Sequence, residues 1–480
     1  MQKPYPLLIQ GGMGAGVSGW HLARTVSRLG HLGVVSGTAL DVIVARKLQQ
    51  GDPGGHLRRA LSSFPSPAIS ESILRRYYIS GGKRARESFR RTPLPSAPLR
   101  QDLEELLIAA NYCEVFLARE DHDGLIGINY LEKIQTTLLP SLYGALLAGV
   151  DVVLMGAGIP WQIPGVFDRL SRHEKADYRI TVAGSAPDQE DRVFFDPKLH
   201  LPETTPDLKR PSFLAIVASA TLASALVKRA TGRIDGFVIE GPTAGGHNAP
   251  PRGTLKLDEQ GQPIYGERDQ VDLEAIRKLG LPYWLAGGYG DPTKVSEALA
   301  GGAAGVQVGT AFAFCEESGV DPALRERLLD KVSSGEAVVR TDPTASTTGF
   351  PFKVAQLEGT FSDAKICEER PRLCDLGYLR QLYRKPDGGI GYRCPGEPVE
   401  SYLAKGGAVE DTCGRKCLCN GLLATVGLGQ VRPSGYAERP IITAGDALRG
   451  IRDGFLKDGR TYTAADVINS LIRIPSAPLP

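Results

Sequence analysis

The chain has 480 residues, enough to bury a large hydrophobic core in two to four domains or in one large barrel with additions. Lys and Arg together number 56 against 54 Asp and Glu, so the overall charge favours neither nucleic acid nor an anionic membrane as a partner. The N-terminus has no apolar segment typical of a signal peptide, and the most apolar later stretch, residues 142–160, is interrupted by Asp151 and several glycines. We therefore expect a cytoplasmic globular protein with no membrane anchor.

Short β-branched runs alternate with helix-like stretches from residue 6 to about residue 316. Eight of these runs are typical of buried parallel strands: LLIQ (7–10), LGVVSG (32–37), LIGINY (125–130), VDVVLMG (150–156), FLAIVAS (213–219), GFVIEG (236–241), YWLAGG (283–288) and GVQVGT (305–310). Eight successive βα units predict an α/β protein built on a closed (β/α)8 barrel, also called a TIM barrel. We assign the barrel to residues 1–335, with insertions near 45–110 and 170–212.

The first predicted strand is followed by a GxGxxG sequence at Gly14, Gly16 and Gly19. A dinucleotide-binding turn also needs an acidic residue at the end of the second strand to hold a ribose. The second predicted strand ends near Val35, and the first acidic residue, Asp41, lies well beyond it. This disfavours a Rossmann site.

Three other Gly-rich segments each follow a predicted strand, at 240–253, 286–292 and 306–312. In a barrel the carboxyl ends of all strands lie on one face, and the loops after the seventh and eighth strands form a recurrent phosphate site. Glycine lets the backbone approach a phosphate closely, and free amides at a helix N-terminus bind the anion. The predicted phosphate-binding residues are Gly287, Gly288, Gly309 and Thr310.

Six segments occur in a fixed order over about residues 5–320: IQGGM, INYL, GAGIP, EGPTAGGH, LAGGYGDP and GVQVGTAF. This combination resembles the FMN-dependent nitronate monooxygenase (2-nitropropane dioxygenase) and flavin enoyl-acyl-carrier-protein reductase group. The resemblance implies an FMN-binding (β/α)8 barrel. It also implies further FMN contacts, with Gly11, Gly12 and Met13 beside the isoalloxazine, Asn129 facing the ring, and Gly245 and Gly246 near the phosphate.

His247, at the end of the AGGH sequence, is the candidate catalytic residue. A neutral imidazole can take a proton from a carbon next to an activating group. In the resembled group the matching histidine is the proposed base or lies near the acyl substrate. The residues that follow, 248–251, read NAPP where the group usually has a second glycine, and this departure puts the nitronate chemistry in doubt. The alternative is that His247 only closes the loop through a hydrogen bond.

The resemblance leaves three functions open. The first is a nitronate monooxygenase-like oxidoreductase that oxidises a nitronate or related carbon acid with His247 as base. The second is reduction of an enoyl thioester by NAD(P)H or another electron donor, in which the basic segment 75–91 would receive an acidic carrier protein. The third is a non-catalytic subunit that carries electrons through flavin and an iron–sulfur cluster.

The last part of the chain, residues 341–480, loses the βα alternation and contains six of the eight cysteines, which predicts a smaller Cys-rich C-terminal domain. Cys413, Cys417 and Cys419 follow C-x3-C-x-C spacing, and Cys394 lies upstream as a fourth thiol. All-thiolate ligation suits a 4Fe–4S cluster or, alternatively, zinc. Unliganded thiols are a third possibility. The sequence does not decide whether Cys367 or Cys374 takes part.

Overall fold

The computed structural model describes residues 5–201, 205–456 and 461–472. The strands in this part of the chain are β1 (Leu8–Gln10), β2 (Gly33–Ser36), β3 (Ile126–Leu131), β4 (Val152–Gly156), β5 (Ala176–Arg179), β6 (Val182–Ala183), β7 (Arg192–Phe195), β8 (Ser212–Val217), β9 (Gly236–Glu240), β10 (Gly246–His247), β11 (Tyr283–Ala286), β12 (Gly305–Val308), β13 (Val339–Asp342), β14 (Phe352–Ala355), β15 (Gln381–Arg384) and β16 (Ile390–Arg393).

The α-helices in the same ranges are α1 (Trp20–Arg28), α2 (Leu40–Gln49), α3 (His56–Ser62), α4 (Pro67–Tyr77), α5 (Gln101–Arg119), α6 (Leu138–Leu147), α7 (Ile163–Leu170), α8 (Ala220–Arg229), α9 (Leu273–Arg277), α10 (Pro292–Ala300), α11 (Thr310–Ala313), α12 (Pro322–Ser333), α13 (Ala364–Glu368), α14 (Val399–Ala404), α15 (Leu418–Thr425), α16 (Ile451–Gly454) and α17 (Ala464–Ile472). None of these helices is both long and apolar enough to cross a membrane.

Eight parallel strands form one sheet in the order β1-β12-β11-β9-β8-β4-β3-β2. The sheet closes where Ile9 pairs with Leu32, and the Gln10 amide donates to the Leu32 carbonyl at 3.0 Å. These are the eight runs that the sequence analysis assigned to strands. The predicted (β/α)8 barrel is therefore confirmed.

The barrel strands are buried on both faces, which explains their nearly continuous apolar character. One set of side chains fills the interior, and its members include Ile9, Val34, Leu154, Val238 and Trp284. The opposite set packs against the surrounding helices. Alternation along each strand thus divides the core into an inner and an outer layer.

The two predicted insertions contain structure of their own. Residues 45–110 include α3, α4 and the start of α5, which packs against α6. Residues 170–212 include the antiparallel pair β5 and β7 and the short strand β6.

The C-terminal tail, here meaning the described residues from 341 onward, lies directly on the barrel. Strand β14 pairs with β10 in the loop after β9, and β15 pairs in parallel with β6. Helix α17 packs against α1, α10 and α11. The tail therefore contacts the barrel loops that carry the predicted site residues.

Candidate functional site

The carboxyl ends of the barrel strands and the tail enclose a cavity of about 220 Å³. All the residues predicted to contact FMN line it: Gly11, Gly12, Met13, Asn129, Gly245, Gly246, Gly287, Gly288, Gly309 and Thr310. His247 lines the same cavity. The barrel thus gathers residues from five separate loops or strand ends at one place.

The loop after β1 is fixed by a buried serine. The Ser18 hydroxyl donates to the Gly11 carbonyl at 3.1 Å and accepts from the Met13 amide at 3.0 Å. A Cβ on Gly12 would lie 2.5 Å from the Cβ of Asn129, a separation that side-chain atoms cannot tolerate. Glycine is therefore required for the Gly12 backbone to pack against β3.

Two buried acceptor atoms at this end of the cavity have no hydrogen-bond partner among the described residues. They are Oδ1 of Asn129 and Oε1 of Gln307. Buried polar atoms without partners are uncommon because each one costs about 1–3 kcal/mol. Both residues line the cavity, so a ligand with N–H donors would satisfy them. The sequence analysis missed Gln307, although a glutamine inside an apolar strand was a usable signal.

The opposite end of the cavity is built on a glycine turn after β11. Gly287 and Gly288 have φ values of 89° and 80°, and a Cβ on Gly287 would lie 3.0 Å from Oγ1 of Thr243. The turn therefore needs glycine for both conformation and space. The Nζ of Lys294 lies 3.6 Å from the position of a Cβ on Gly288, which places a cation beside the turn. The sequence analysis did not identify Lys294.

The tail closes this end of the cavity over the barrel. The Gly445 amide donates to Oγ1 of Thr310 at 2.8 Å, and the Asp446 amide donates to the Thr243 carbonyl at 3.0 Å. Further tail residues that line the cavity are Leu376, Tyr378, Leu379, Leu418, Cys419, Leu422, Ile442, Thr443 and Ala444. About half of the residues that line the cavity lie outside the six segments quoted for the family resemblance.

His247 lies in β10 and is held from two sides by the tail. Its Nε2 is hydrogen-bonded to Oγ of Ser346 at 2.7 Å, and its ring meets the Phe352 ring edge-on with centroids 4.9 Å apart. Burial, and secondly the positive charge of Lys133, hold the pKa of His247 well below its usual value of 6.5. The imidazole is therefore neutral at neutral pH, as a general base must be.

Lys133 is a second ionisable group near His247. Its Nζ lies 4.1 Å from the centre of the Phe350 ring and donates to Oγ1 of Thr348 at 3.4 Å. Thr348 is in turn bonded to Ser346 at 2.8 Å, so a chain of hydrogen bonds connects Lys133 to His247. Burial lowers the pKa of Lys133 to about 8.

Glu240, at the end of β9, is the acidic group of the cavity wall. Burial raises the pKa of its carboxyl to about 7, so this group changes protonation near neutral pH. Glu240 begins the quoted EGPTAGGH segment but was not predicted as a site residue, and Lys133 lies outside every quoted segment.

The structure does not bring the four predicted metal ligands together as one set. Burial, and secondly charge on Cys417, raises the pKa of the Cys419 thiol well above its usual value. Cys413 is exposed, and its Sγ points to the Val409 carbonyl at 3.7 Å. In the described ranges no three His, Cys, Asp or Glu side chains are grouped so as to hold a metal ion.

Comparison with known proteins identifies relatives for part of the chain. The family model described as nitronate monooxygenase matches residues 186–345. The nitronate monooxygenase of Paraburkholderia phytofirmans is 33% identical over 148 residues, which cover 30% of this chain and 36% of that protein. The (3aS,4S,5R,7aS)-5-hydroxy-7a-methyl-1-oxo-octahydro-1H-indene-4-carboxyl-CoA dehydrogenase of Mycobacterium tuberculosis is 30% identical over 143 residues, again 30% of this chain and 36% of that protein.

Among solved structures, nitroalkane oxidase from Streptomyces ansochromogenes aligns over 97% of this chain and 95% of its own, with a TM-score of 0.48 and 17% identity. In sequence the chain spans little more than a third of the length of the curated relatives it matches. The matched segment contains His247 and the glycine turns at 245–246, 287–288 and 309. Residues 186–345 of this chain are thus similar to the nitronate monooxygenase family.

Proposed function

We propose that the protein is an FMN-dependent oxidoreductase of nitronate monooxygenase type, which oxidises a nitronate or a related carbon acid with His247 as the base. One observation carries the proposal. A neutral, oriented histidine lies in the wall of the same cavity as all the residues expected to contact FMN. Both the base and the cofactor residues would therefore face one substrate.

The cavity residues fit FMN at both ends. The backbone of Gly287, Gly288 and Gly309, with the Lys294 ammonium beside it, suits a phosphate group. The unpartnered oxygens of Asn129 and Gln307 suit the N–H donor of an isoalloxazine ring. Bound FMN would supply the redox chemistry of the reaction by accepting two electrons.

The side chains around His247 would control the proton. Because Ser346 engages Nε2, His247 would take the substrate proton at Nδ1. The positive charge of Lys133, which is connected to His247 through Thr348 and Ser346, disfavours premature protonation of the imidazole. The proposal thus gives each group a separate task.

The test is oxygen uptake by FMN-loaded protein with neutral 2-nitropropane, a carbon acid that still carries the proton His247 would remove. His247→Ala should lower kcat by roughly 10²–10⁴-fold, the usual contribution of general acid–base catalysis, with FMN content unchanged. His21→Ala is the matched control, because His21 is exposed on α1. An unchanged rate in His247→Ala would remove His247 from the mechanism. No turnover of nitronates or enoyl thioesters by the wild type would favour a non-catalytic electron-transfer subunit.

An enoyl-thioester reductase is the second candidate, and the basic segment 75–91 favours it. Arg84 and Arg86 are exposed there, and the Arg84 backbone amide donates to Oε2 of Glu87 at 3.3 Å. Such a surface suits an acidic carrier protein that delivers the acyl group. Addition of a crotonyl thioester should then accelerate NADPH oxidation several-fold. A nitronate oxidase should not respond.

A further inference from the structure

Four leucines of the C-terminal tail line the cavity. Leu376 and Leu379 lie in the loop before β15, and Leu418 and Leu422 lie in α15. Leu379 and Leu422 are only half-buried, although each packs against the core. Half-buried leucines in a cavity wall leave apolar surface that a ligand can cover. We call these four residues the leucine wall.

The leucine wall adjoins the proposed base. The Phe352 ring, which meets the His247 ring edge-on with centroids 4.9 Å apart, belongs to a buried hydrophobic cluster with Leu418. Leu379 and Leu422 pack against the same cluster. A carbon acid placed for proton transfer to His247 would therefore have the leucine wall beside it.

Contacts with the barrel place the leucine wall over the loops after β1 and β2. Val426, which follows α15, has its Cγ2 atom 3.5 Å from the position of a Cβ on Gly16. The Tyr378 hydroxyl, between two of the leucines, donates to Oδ1 of Asp41 in the first turn of α2. With FMN bound as proposed above, the leucine wall would lie at the ring end of the cavity.

The described cavity wall offers no cation to a substrate at this end. None of the described residues that line the cavity is lysine or arginine, and the acidic side chain among them is Glu240. Lys294 lies beside the glycine turn at the phosphate end, and two hydroxyl groups separate Lys133 from His247. A substrate carboxylate would therefore lose its hydration without gaining a counter-ion, which is costly in a buried site.

The leucine wall lies outside the part of the chain that the nitronate monooxygenase model matches. That match ends at residue 345, whereas the four leucines lie between residues 376 and 422. The surface beside the base thus comes in part from a segment that the family match does not cover.

We propose that the leucine wall makes the enzyme select carbon acids with an uncharged alkyl chain and reject those that carry a carboxylate. This inference rests on the proposed function, because it names the class of carbon acid that would reach His247. The leucines would bury the alkyl chain, and each buried methylene strengthens binding about fourfold. A carboxylate in the same place would meet apolar side chains and the Glu240 carboxyl.

The experiment measures binding separately from oxidation. FMN-loaded His247→Ala protein is titrated by calorimetry with nitroethane, 1-nitrobutane, 3-methyl-1-nitrobutane and 3-nitropropionate, since without the base these compounds should bind and not react. The Kd should fall roughly 10- to 20-fold from nitroethane to 1-nitrobutane, which has two more methylenes. It should be at least about tenfold higher for 3-nitropropionate than for 3-methyl-1-nitrobutane, which has a similar shape without the charge.

Two leucine variants in the same His247→Ala background locate the effect. Leu422→Ala should reduce the advantage of 1-nitrobutane over nitroethane several-fold, because it removes part of the leucine wall. Leu403→Ala is the matched control, since Leu403 lies in the same tail but is 42% exposed on α14 and does not line the cavity. Far-ultraviolet circular dichroism and FMN content confirm that both variants are folded.

Three results would overturn the proposal. They are equal Kd values for nitroethane and 1-nitrobutane, binding of 3-nitropropionate as tight as that of 3-methyl-1-nitrobutane, and the same ratio of Kd values in the two leucine variants. If Leu422→Ala does not fold, the first two comparisons still decide. Failure of the oxidase function is seen separately, as wild-type protein that binds 1-nitrobutane without taking up oxygen.

Discussion

The barrel and the tail form opposite walls of one cavity, but their geometry is encoded at different ranges in the sequence. Each glycine turn of the barrel follows its own strand, and parallel strands bring all such turns to one face. The tail is placed by distant pairings, such as β14 with β10 and Arg46 of α2 with Asp375 at 3.5 Å. Local pattern thus determines the barrel wall, whereas long-range contacts determine the tail wall.

A buried group of charges shows how strongly the tail is fixed. Arg370 and Glu438 form two hydrogen bonds of 2.8 Å, with side chains only 3% and 0% exposed. Arg432 pairs with both Glu438 and Asp375. Asp375 of this group also pairs with Arg46 of α2, so a disturbance of the group should shift the tail relative to α2.

The largest expected effect is on stability. Glu438→Gln should lower the free energy of unfolding by about 3–5 kcal/mol, because it leaves Arg370 without its buried counter-ion and removes one of the two carboxylates that pair with Arg432. Urea titration measures the change. Glu274→Gln is the control, since Glu274 forms an exposed i,i+4 pair with Lys278 and should cost less than about 0.5 kcal/mol. Equal losses of unfolding free energy in the two variants would contradict the claim that the buried charges stabilise the tail more than an exposed ion pair stabilises the surface.

The next effect concerns closure of the cavity by the tail. A Cβ on Gly445 would lie 2.7 Å from the Thr243 carbonyl and 3.0 Å from Oγ1 of Thr310, so Gly445→Ala should push the tail away from the phosphate end. Overpacking costs about 1–3 kcal/mol, which corresponds to a rise of roughly 5- to 160-fold in the Kd for FMN. Gly454→Ala, where a Cβ meets nothing within 4 Å, should leave the Kd unchanged. If both variants bind FMN like the wild type, the tail does not close the site.

A smaller effect is expected in the pH profile. The Lys133 ammonium disfavours the imidazolium form of His247, so it lowers the pKa of that residue. Lys133→Met should raise the pKa of His247 and so move the acid limb of the kcat/KM profile to higher pH. Burial, the larger cause, remains in the variant, so the shift should be partial. Lys133→Arg keeps the charge and should keep the limb in place. An identical pH profile of kcat/KM in the wild type, Lys133→Met and Lys133→Arg would show that Lys133 does not influence the pKa of His247.

The smallest effect is expected at the hydroxyl that orients His247. Ser346→Ala removes one hydrogen bond to Nε2, worth about 1 kcal/mol, and should lower kcat/KM roughly fivefold. FMN content should not change, because Ser346 is not among the residues that line the cavity. A loss as large as that of His247→Ala would instead give Ser346 a direct part in proton transfer.

Local alternation was sufficient to predict the eight barrel strands, and strand order was sufficient to predict the glycine turns of the last two loops. The family resemblance implied the other predicted FMN contacts that line the cavity. The sequence was not sufficient to place Lys133 beside His247, since that contact runs through Ser346 and Thr348 of the tail. The C-x3-C-x-C spacing also predicted Cys413 as a metal ligand, because Cys417 and Cys419 follow it closely in the sequence. Cys413 is exposed, and the part of the chain that the structure describes holds no group of three or more side chains that could bind a metal ion.

The central claim is that the glycine turns at the barrel mouth bind the phosphate of FMN. The most direct test is a fluorescence titration of flavin-free protein with FMN and, separately, with riboflavin, which lacks the phosphate. We predict one FMN per chain and at least about tenfold weaker binding of riboflavin, since charge-assisted hydrogen bonds to the phosphate contribute about 1.5–3 kcal/mol. Equal affinities, or no binding of FMN, would contradict the account.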